Sequence, residues 1–313
     1  MPELGFALSS EDHAPNGLVE QAATAERAGF TFCLISDHSH PWIDAQGHAS
    51  FVWSTLGGIA HVTEKIRIGT GVTCPMIRQH PGLVAQAAAT VACMTDGRFF
   101  LGVGSGENLN EHVFGDRWPL PDERLEMLEE AVEVIRLLWQ GGEQTHRGKH
   151  YTVDHARVYD LPDDPIDIYV AAAQSNAAEL AGRIGDGLIS TSPEEDVVKT
   201  FGQDKPKLGM MHCAYDTDAQ AGLKRAHELW PNIALQGSLG QELPTPSDFE
   251  SAAPMVSPED VAENVPHGPD PSSYLEQIGK FGDAGFTHVY IHQIGENQQE
   301  FCDWAARELL PRV

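Results

Sequence analysis

Short apolar runs and longer amphipathic stretches alternate along this chain. Leu4–Leu8 is an apolar run, and Gly17–Ala28 follows with helical periodicity and an Ala-rich face. Thr31–Ile35, Ile66–Thr73 and Phe99–Val103 read as buried strands, with Phe51–Val62 and Gly82–Met94 as the helices between them. Arg124–Trp139 is the clearest amphipathic helix, with Leu125, Leu128, Val132, Ile135 and Leu138 on one face. The second half repeats the alternation. Strands are expected at Asp167–Ala172, Gly187–Thr191, Leu208–Ala214 and Thr287–His292. The helices that follow them are expected at Asn176–Ile184, Pro193–Phe201, Ala219–Trp230 with Pro271–Ala284, and Gln298–Leu309.

Strands that are apolar on both faces belong to parallel sheets covered by helices. Eight strand–helix units in 313 residues predict an α/β fold, a single (β/α)8 TIM barrel with insertions spanning residues 1–313. Two segments depart from the repeat. Gly141–Pro165 is a long connection before the fifth strand. Asn232–Gly268, rich in Pro, Ser and Gly, reads as an irregular insertion near the active-site face, since long segments in compact folds are usually functional covers.

The formal charge of −26 changes the picture from fold to setting. Such a surface repels nucleic acid and anionic membranes. With 41% apolar and 21% charged residues, the chain can still bury a large core. The imbalance comes mainly from scarce Lys: Lys65, Lys149, Lys199, Lys205, Lys207, Lys224 and Lys280. An anionic surface self-repels in dilute buffer and is screened by salt, which points to a salt-rich cytoplasm. The 5 Cys are odd in number and form no CxxC, against a disulfide framework or zinc knuckle. No signal peptide or apolar run of about 20 residues is present, so a cytoplasmic location is expected.

Active sites of such barrels lie at the C-terminal strand ends. There the sequence offers Asp37, His38, His40 and Trp42 after the second strand, and Gly71, Val72 and Cys74 after the third. It offers Ser105, Gly106, Glu107 and Asn110 after the fourth, Ala173, Gln174 and Asn176 after the fifth, Thr191 after the sixth, and His292 with Gln293 at the eighth. His38 and Glu107 stand out as an acid–base pair, because imidazole titrates near neutrality and a buried carboxyl can serve as its counterpart. The plainer alternative is that His38 caps a turn and Glu107 caps a helix. Trp42 either walls a planar ligand or roofs the barrel. The glycines of Gly102-Val103-Gly104-Ser105-Gly106 do not fall in GxGxxG spacing, so no dinucleotide fingerprint is present. A metal-dependent hydrolase using Asp37, His38 and His40 is the competing class, although strands five and six end in AAAQSN and STS, which leaves the ligand set incomplete. A noncatalytic role accounts least well for an acid, a base and an aromatic on one face.

ISDHSHPW (Ile35–Trp42), GTGVTCPMIRQHP (Gly69–Pro81), FLGVGSGENLNE (Phe100–Glu111) and AGRIGDG (Ala181–Gly187) resemble the bacterial luciferase-like superfamily. Within it they resemble the coenzyme F420-dependent dehydrogenases of the glucose-6-phosphate and secondary-alcohol group. The resemblance implies F420 as cofactor, a small-molecule substrate and a homodimer. It implies a catalytic set of His38, Trp42 and Glu107, Asp37 contacting the deazaflavin, and a non-prolyl cis bond at Gly71–Val72 behind the ring. Ser105, Gly106, Asn110, Ala173, Gln174, Asn176 and Ala177 would line the ring and its tail, and Cys74 stands where some relatives carry a cofactor-contacting Thr. It further implies a substrate site at Thr191, Glu194 and Asn264. Sugar-phosphate enzymes of this group carry Lys where this chain has Glu194, Arg at Asn264 and a further Lys near Gly240. Phosphate wants Arg or Lys. The expectation is therefore a neutral sugar, polyol or secondary alcohol, with a sugar phosphate as the alternative.

Overall fold

The computed structural model describes every residue except Gln203 and Gln236. Ten strands are described: β1 (Glu3–Leu8), β2 (Phe32–Ile35), β3 (Arg67–Thr70), β4 (Phe99–Val103), β5 (Gln144–Arg147), β6 (Thr152–Ala156), β7 (Ile168–Ala171), β8 (Gly187–Ser190), β9 (Lys207–Cys213) and β10 (His288–Gln293). All but β5 and β6 close into a parallel barrel in the order β1-β10-β9-β8-β7-β4-β3-β2. The (β/α)8 expectation therefore holds, with helices covering the outside.

The strands are short and apolar on both faces because each is buried twice. Alternate side chains fill the barrel: Ala7, Phe32, Leu34, Phe100, Tyr169, Ile189, Leu208 and Tyr290 form one inner cluster. The opposite faces of the strands pack against the helices in a larger cluster that includes Phe6, Cys33, Leu101, Ile168, Leu188 and Val289. Rings inside the barrel need glycine opposite them. A Cβ on Gly69 would stand 2.2 Å from the Phe100 ring, and one on Gly5 2.4 Å from the Phe32 ring. The large rings Phe32, Phe100 and Tyr169 fill the lower barrel and leave the C-terminal end open.

Two segments differ from expectation. The 141–165 connection contains an antiparallel hairpin, β5 with β6. Its turn is held by the Glu130 carboxylate, which accepts from the backbone N–H groups of Lys149, His150 and Tyr151. The stretch from 232 to 268 is not irregular. It carries short α-helices at Leu239–Glu242, Pro246–Ala252 and Pro258–Asn264. Among the described residues, no helix is long and apolar enough to cross a membrane.

Candidate active site

A cleft of about 470 Å³ opens at the C-terminal ends of the barrel strands. Of the residues expected there, His38, Trp42, Gly71, Val72, Ser105, Gly106, Glu107, Ala173, Gln174, Ala177 and Thr191 line it. The Gly71–Val72 peptide bond is cis. One wall is made of Gly71, Gly104, Gly106, Ala171, Ala172 and Ala173, so backbone rather than side chain faces the cleft. That wall cannot be thickened: a Cβ on Gly104 would lie 2.8 Å from Val72 Cγ2, and Gly106 has φ +75° with Cys74 Sγ 2.7 Å from where its Cβ would be.

His38 is oriented from both ring nitrogens. Nδ1 lies 3.1 Å from the carbonyl oxygen of His40, which only accepts, so Nδ1 carries the proton. The other ring nitrogen, Nε2, faces Glu11, whose Oε1 lies 3.3 Å from it. Ser9 and Ser36 donate their hydroxyls to the other Glu11 oxygen. Glu11 is 2% exposed and lines the cleft beside His38. The Trp42 ring packs 5.1 Å from the His38 ring and 5.1 Å from Phe249 of the insertion. Across the cleft, Glu107 is the residue before the Asn108–Glu111 helix and makes no side-chain cap there. Its Oε2 accepts from Asn110 Nδ2 at 3.2 Å, which leaves Oε1 to the cleft.

Several expected residues stand elsewhere. Asp37 does not reach the cleft surface. It is buried, and its oxygens accept from Thr73 Oγ1, Gln79 Nε2 and Arg78 NH2. Cys74 lies under Gly106, where burial and the neighbouring carboxyls of Glu111 and Glu107 hold its thiol well above the ordinary range. Asn110 is buried as well. Its Oδ1 accepts from the N–H groups of Ser39 and His40, so it ties the His38 loop to Glu107 rather than lining the cleft. Asn176 is exposed and turned to the N–H of Ala177. Glu194 is exposed at the start of the Glu195–Phe201 helix. Asn264 donates back to the carbonyl of Asp260 on its own helix. Thr191 alone of the three expected substrate residues faces the cleft.

Asp37, His38 and His40 do not converge on a common point. His40 Nδ1 faces the carbonyl of Leu109 and Asp37 is committed to Arg78, so the donors of the competing hydrolase reading turn apart. Among the described residues, no group of 3 His, Cys, Asp or Glu is placed to share a metal ion.

Residues the sequence reading passed over are also present. Glu11 is one. His212, Trp230, Ser238 and Gln241 line the cleft from the later strands and the insertion. The signal for His212 was alternation: Leu208, Met210 and His212 share the inward face of β9.

Strand ends bearing an imidazole–carboxylate pair, a second carboxylate and an indole define a barrel enzyme equipped for acid–base chemistry. The chain belongs to the luciferase-like monooxygenase family, whose model matches residues 2–288. A protein from Beutenbergia cavernae named F420-dependent glucose-6-phosphate dehydrogenase is 36% identical over 100% of this chain and 98% of its own length. One of the same name from Nocardia farcinica is 35% identical over 99% of this chain and 98% of its own. The solved structure of an F420-dependent secondary alcohol dehydrogenase, in complex with an F420–acetone adduct, superposes with a TM-score of 0.91 at 27% identity, covering 99% of this chain and 98% of that one.

Proposed function

We propose that the protein is a coenzyme F420-dependent dehydrogenase that oxidises a CH–OH group of a neutral sugar, polyol or secondary alcohol. One observation carries the choice of substrate: among the described residues that line the cleft, none is Lys or Arg. Gly240, near where sugar-phosphate enzymes have a Lys, lines the cleft with no side chain at all.

The cleft fits the coenzyme. The glycine and alanine wall leaves room for a flat ring against exposed backbone. The Ser175–Ile184 helix begins beside Gln174, which makes no side-chain cap, so the N–H groups of Ser175 and Asn176 remain for a phosphate-bearing tail, while that of Ala177 donates to Asn176 Oδ1. When bound, the deazaflavin supplies a two-electron hydride acceptor. The protein supplies the protons. His38 Nε2 takes the proton of the substrate hydroxyl, and the Glu11 carboxylate 3.3 Å away stabilises the imidazolium that forms. Glu107 Oε1 handles the proton on the coenzyme side, positioned through Asn110. Trp42 shields His38 from water.

The second reading, a sugar-phosphate dehydrogenase, is favoured by the names of the relatives that are 35–36% identical. Loss of F420 absorbance with glucose and with glucose 6-phosphate separates the two. Comparable kcat/KM values are expected; a kcat/KM for glucose 6-phosphate far above that for glucose overturns the neutral-substrate reading. We also infer a salt-rich working environment, which the charge of −26 supports.

A further inference from the structure

The cleft holds a second carboxylate–histidine system that the chemistry above does not use. β1 lies between β2 and β10 in the barrel. The consecutive acids Glu11 and Asp12, which follow β1, turn to opposite sides: Glu11 to His38 after β2, and Asp12 to His292 on β10. His292 Nε2 lies 3.3 Å from Asp12 Oδ2, and His292 Nδ1 lies 2.8 Å from Nδ1 of His212, its register partner on β9. The side chains of Asp12 and His292 are 4% and 3% exposed. His212 and His292 both line the cleft, and Trp230 covers the pair.

One donor that cannot reverse fixes the bond to Asp12, and the bond to His212 then follows for a His292 that carries a single proton. The indole N–H of Trp230 donates to Asp12 Oδ2 at 2.8 Å, so that oxygen is an acceptor. His292 Nε2 must then donate to it. A neutral His292 accepts at Nδ1, so His212 donates from Nδ1. The remaining nitrogen, His212 Nε2, holds a lone pair and has no partner in the protein among the described residues. It is not one of the buried orphan atoms, which places it at the cleft surface. Burial and the neighbouring His292 keep the His212 pKa well below the ordinary histidine value, consistent with a neutral ring.

We propose that the Asp12–His292–His212 relay fixes His212 Nε2 as an acceptor for a second hydroxyl of the substrate, which makes the enzyme selective for polyhydroxylated substrates, a polyol or an unphosphorylated sugar, over simple secondary alcohols. The substrate assignment rests on the CH–OH oxidation proposed above; the acceptor itself does not. A hydroxyl bound there anchors the substrate at a point on β9, on the far side of β1 and β10 from His38. A monohydroxylic alcohol cannot engage both points. His212 on this reading sets specificity and takes no part in hydride or proton transfer.

Two measurements test this. Nitrogen-15 spectra of histidine-labelled protein without coenzyme are expected to show His212 Nε2 unprotonated at neutral pH, and its resonance is expected to move when glucose or glycerol is added but not with propan-2-ol. A protonated Nε2, or a resonance indifferent to glucose and glycerol, overturns the proposal. In F420 assays, His212→Leu is expected to cut kcat/KM for glycerol or glucose about 10- to 100-fold, the loss that follows when a buried partner is removed from a bound hydroxyl. Its kcat/KM for propan-2-ol should stay within about twofold, and His212→Gln, which keeps an acceptor, should recover part of the loss. Equal losses on both alcohol classes, or a wild type that turns over propan-2-ol but neither polyol nor sugar, also overturn it. If the wild type reduces F420 with no alcohol of any kind, the coenzyme reading fails instead, and the spectra alone decide the role of His212.

Discussion

Asn110, 2% exposed, touches both halves of the acid–base pair. Its carbonyl holds the backbone that carries His38, and its amide holds Glu107. Asn110→Ala leaves these groups unpaired, so kcat is expected to fall about 10-fold, with stability lower by about 1–3 kcal/mol. His38→Ala and Glu107→Gln remove the groups proposed to transfer protons, and each is expected to lower kcat about 10²-fold or more in the F420 assay. Asp37 gives the contrasting case. It is saturated by Arg78, Thr73 and Gln79, and Arg78 is shared with the buried Glu111. Neutralising Asp37 leaves the buried guanidinium with Glu111 as its remaining carboxylate partner, at 3.5 Å. Asp37→Asn is therefore expected to cost about 3 kcal/mol of stability in denaturant titration while the folded enzyme keeps most of its kcat; a lost kcat at unchanged stability would instead put Asp37 against the coenzyme. The sequence signals this neighbourhood but not these roles. Motif spacing marks Asp37, Cys74 and Asn110 as near the cleft, yet which of them are buried beneath it depends on side-chain packing between strand ends. Glu11 and Asp12 are invisible for another reason: acids in a turn after a strand look like a solvated surface until the neighbouring histidines are placed.

The 232–268 segment shows what short elements hide. Its composition reads as loop, because no stretch is long enough for helical periodicity to register. The local caps were nevertheless written in it. Thr245 accepts from Asp248 N, and Ser257 with Asp260 forms a capping box, each with Pro at the first turn. The segment reaches the cleft through Ser238, Gly240 and Gln241, and it is held there by Arg124. That side chain is 2% exposed; it donates to Glu242 Oε1 at 3.2 Å and to Gln241 Oε1 at 3.5 Å, and stacks 4.3 Å from the Trp118 ring. Asn108 adds a bond to the Glu242 carbonyl at 3.0 Å. Arg124→Met keeps the buried stem and removes the charged bonds. The expected result is a KM raised several-fold with kcat less affected, and faster hydrogen exchange over residues 237–242. Unchanged exchange there would mean that the Phe249–Trp42 contact and the bonds from Asn108 and Trp118 to Glu242 hold the segment without Arg124.

At the scale of the whole molecule, the barrel was legible because eight apolar strands in register with eight helical stretches leave few other closures. Charge was equally legible, and it sets the last prediction. Two effects of pH oppose one another here. Acidification toward the pI of about 4.8 reduces the negative charge and so relieves self-repulsion, which stabilises the fold. It also protonates histidines. Burial lowers the pKa of His13, His80, His212 and His288 below the ordinary value, with His292 adding to the effect at His13 and His212. A histidine lowered in this way stabilises the fold fully above the unfolded value near ~6.5, and the stabilisation is lost as pH falls below that value toward the folded pKa. His13 shows the structural cost: the amide donor Gln298 Nε2 lies 3.2 Å from its Nε2, an approach that a proton there would oppose. Salt separates the two effects. In ~1 M salt the Debye length is about 3 Å, so surface repulsion is screened while the buried rings are not. There Tm is expected to fall between about pH 7.5 and about pH 5.5, and His13→Gln should make that fall shallower. At about 0.01 M salt, where the Debye length is about 30 Å, Tm at neutral pH should be lower, and the fall on acidification should shrink or reverse as repulsion is relieved. A Tm at neutral pH that is indifferent to salt would show that the acid excess does not strain the fold, and would remove the argument for a salt-rich environment.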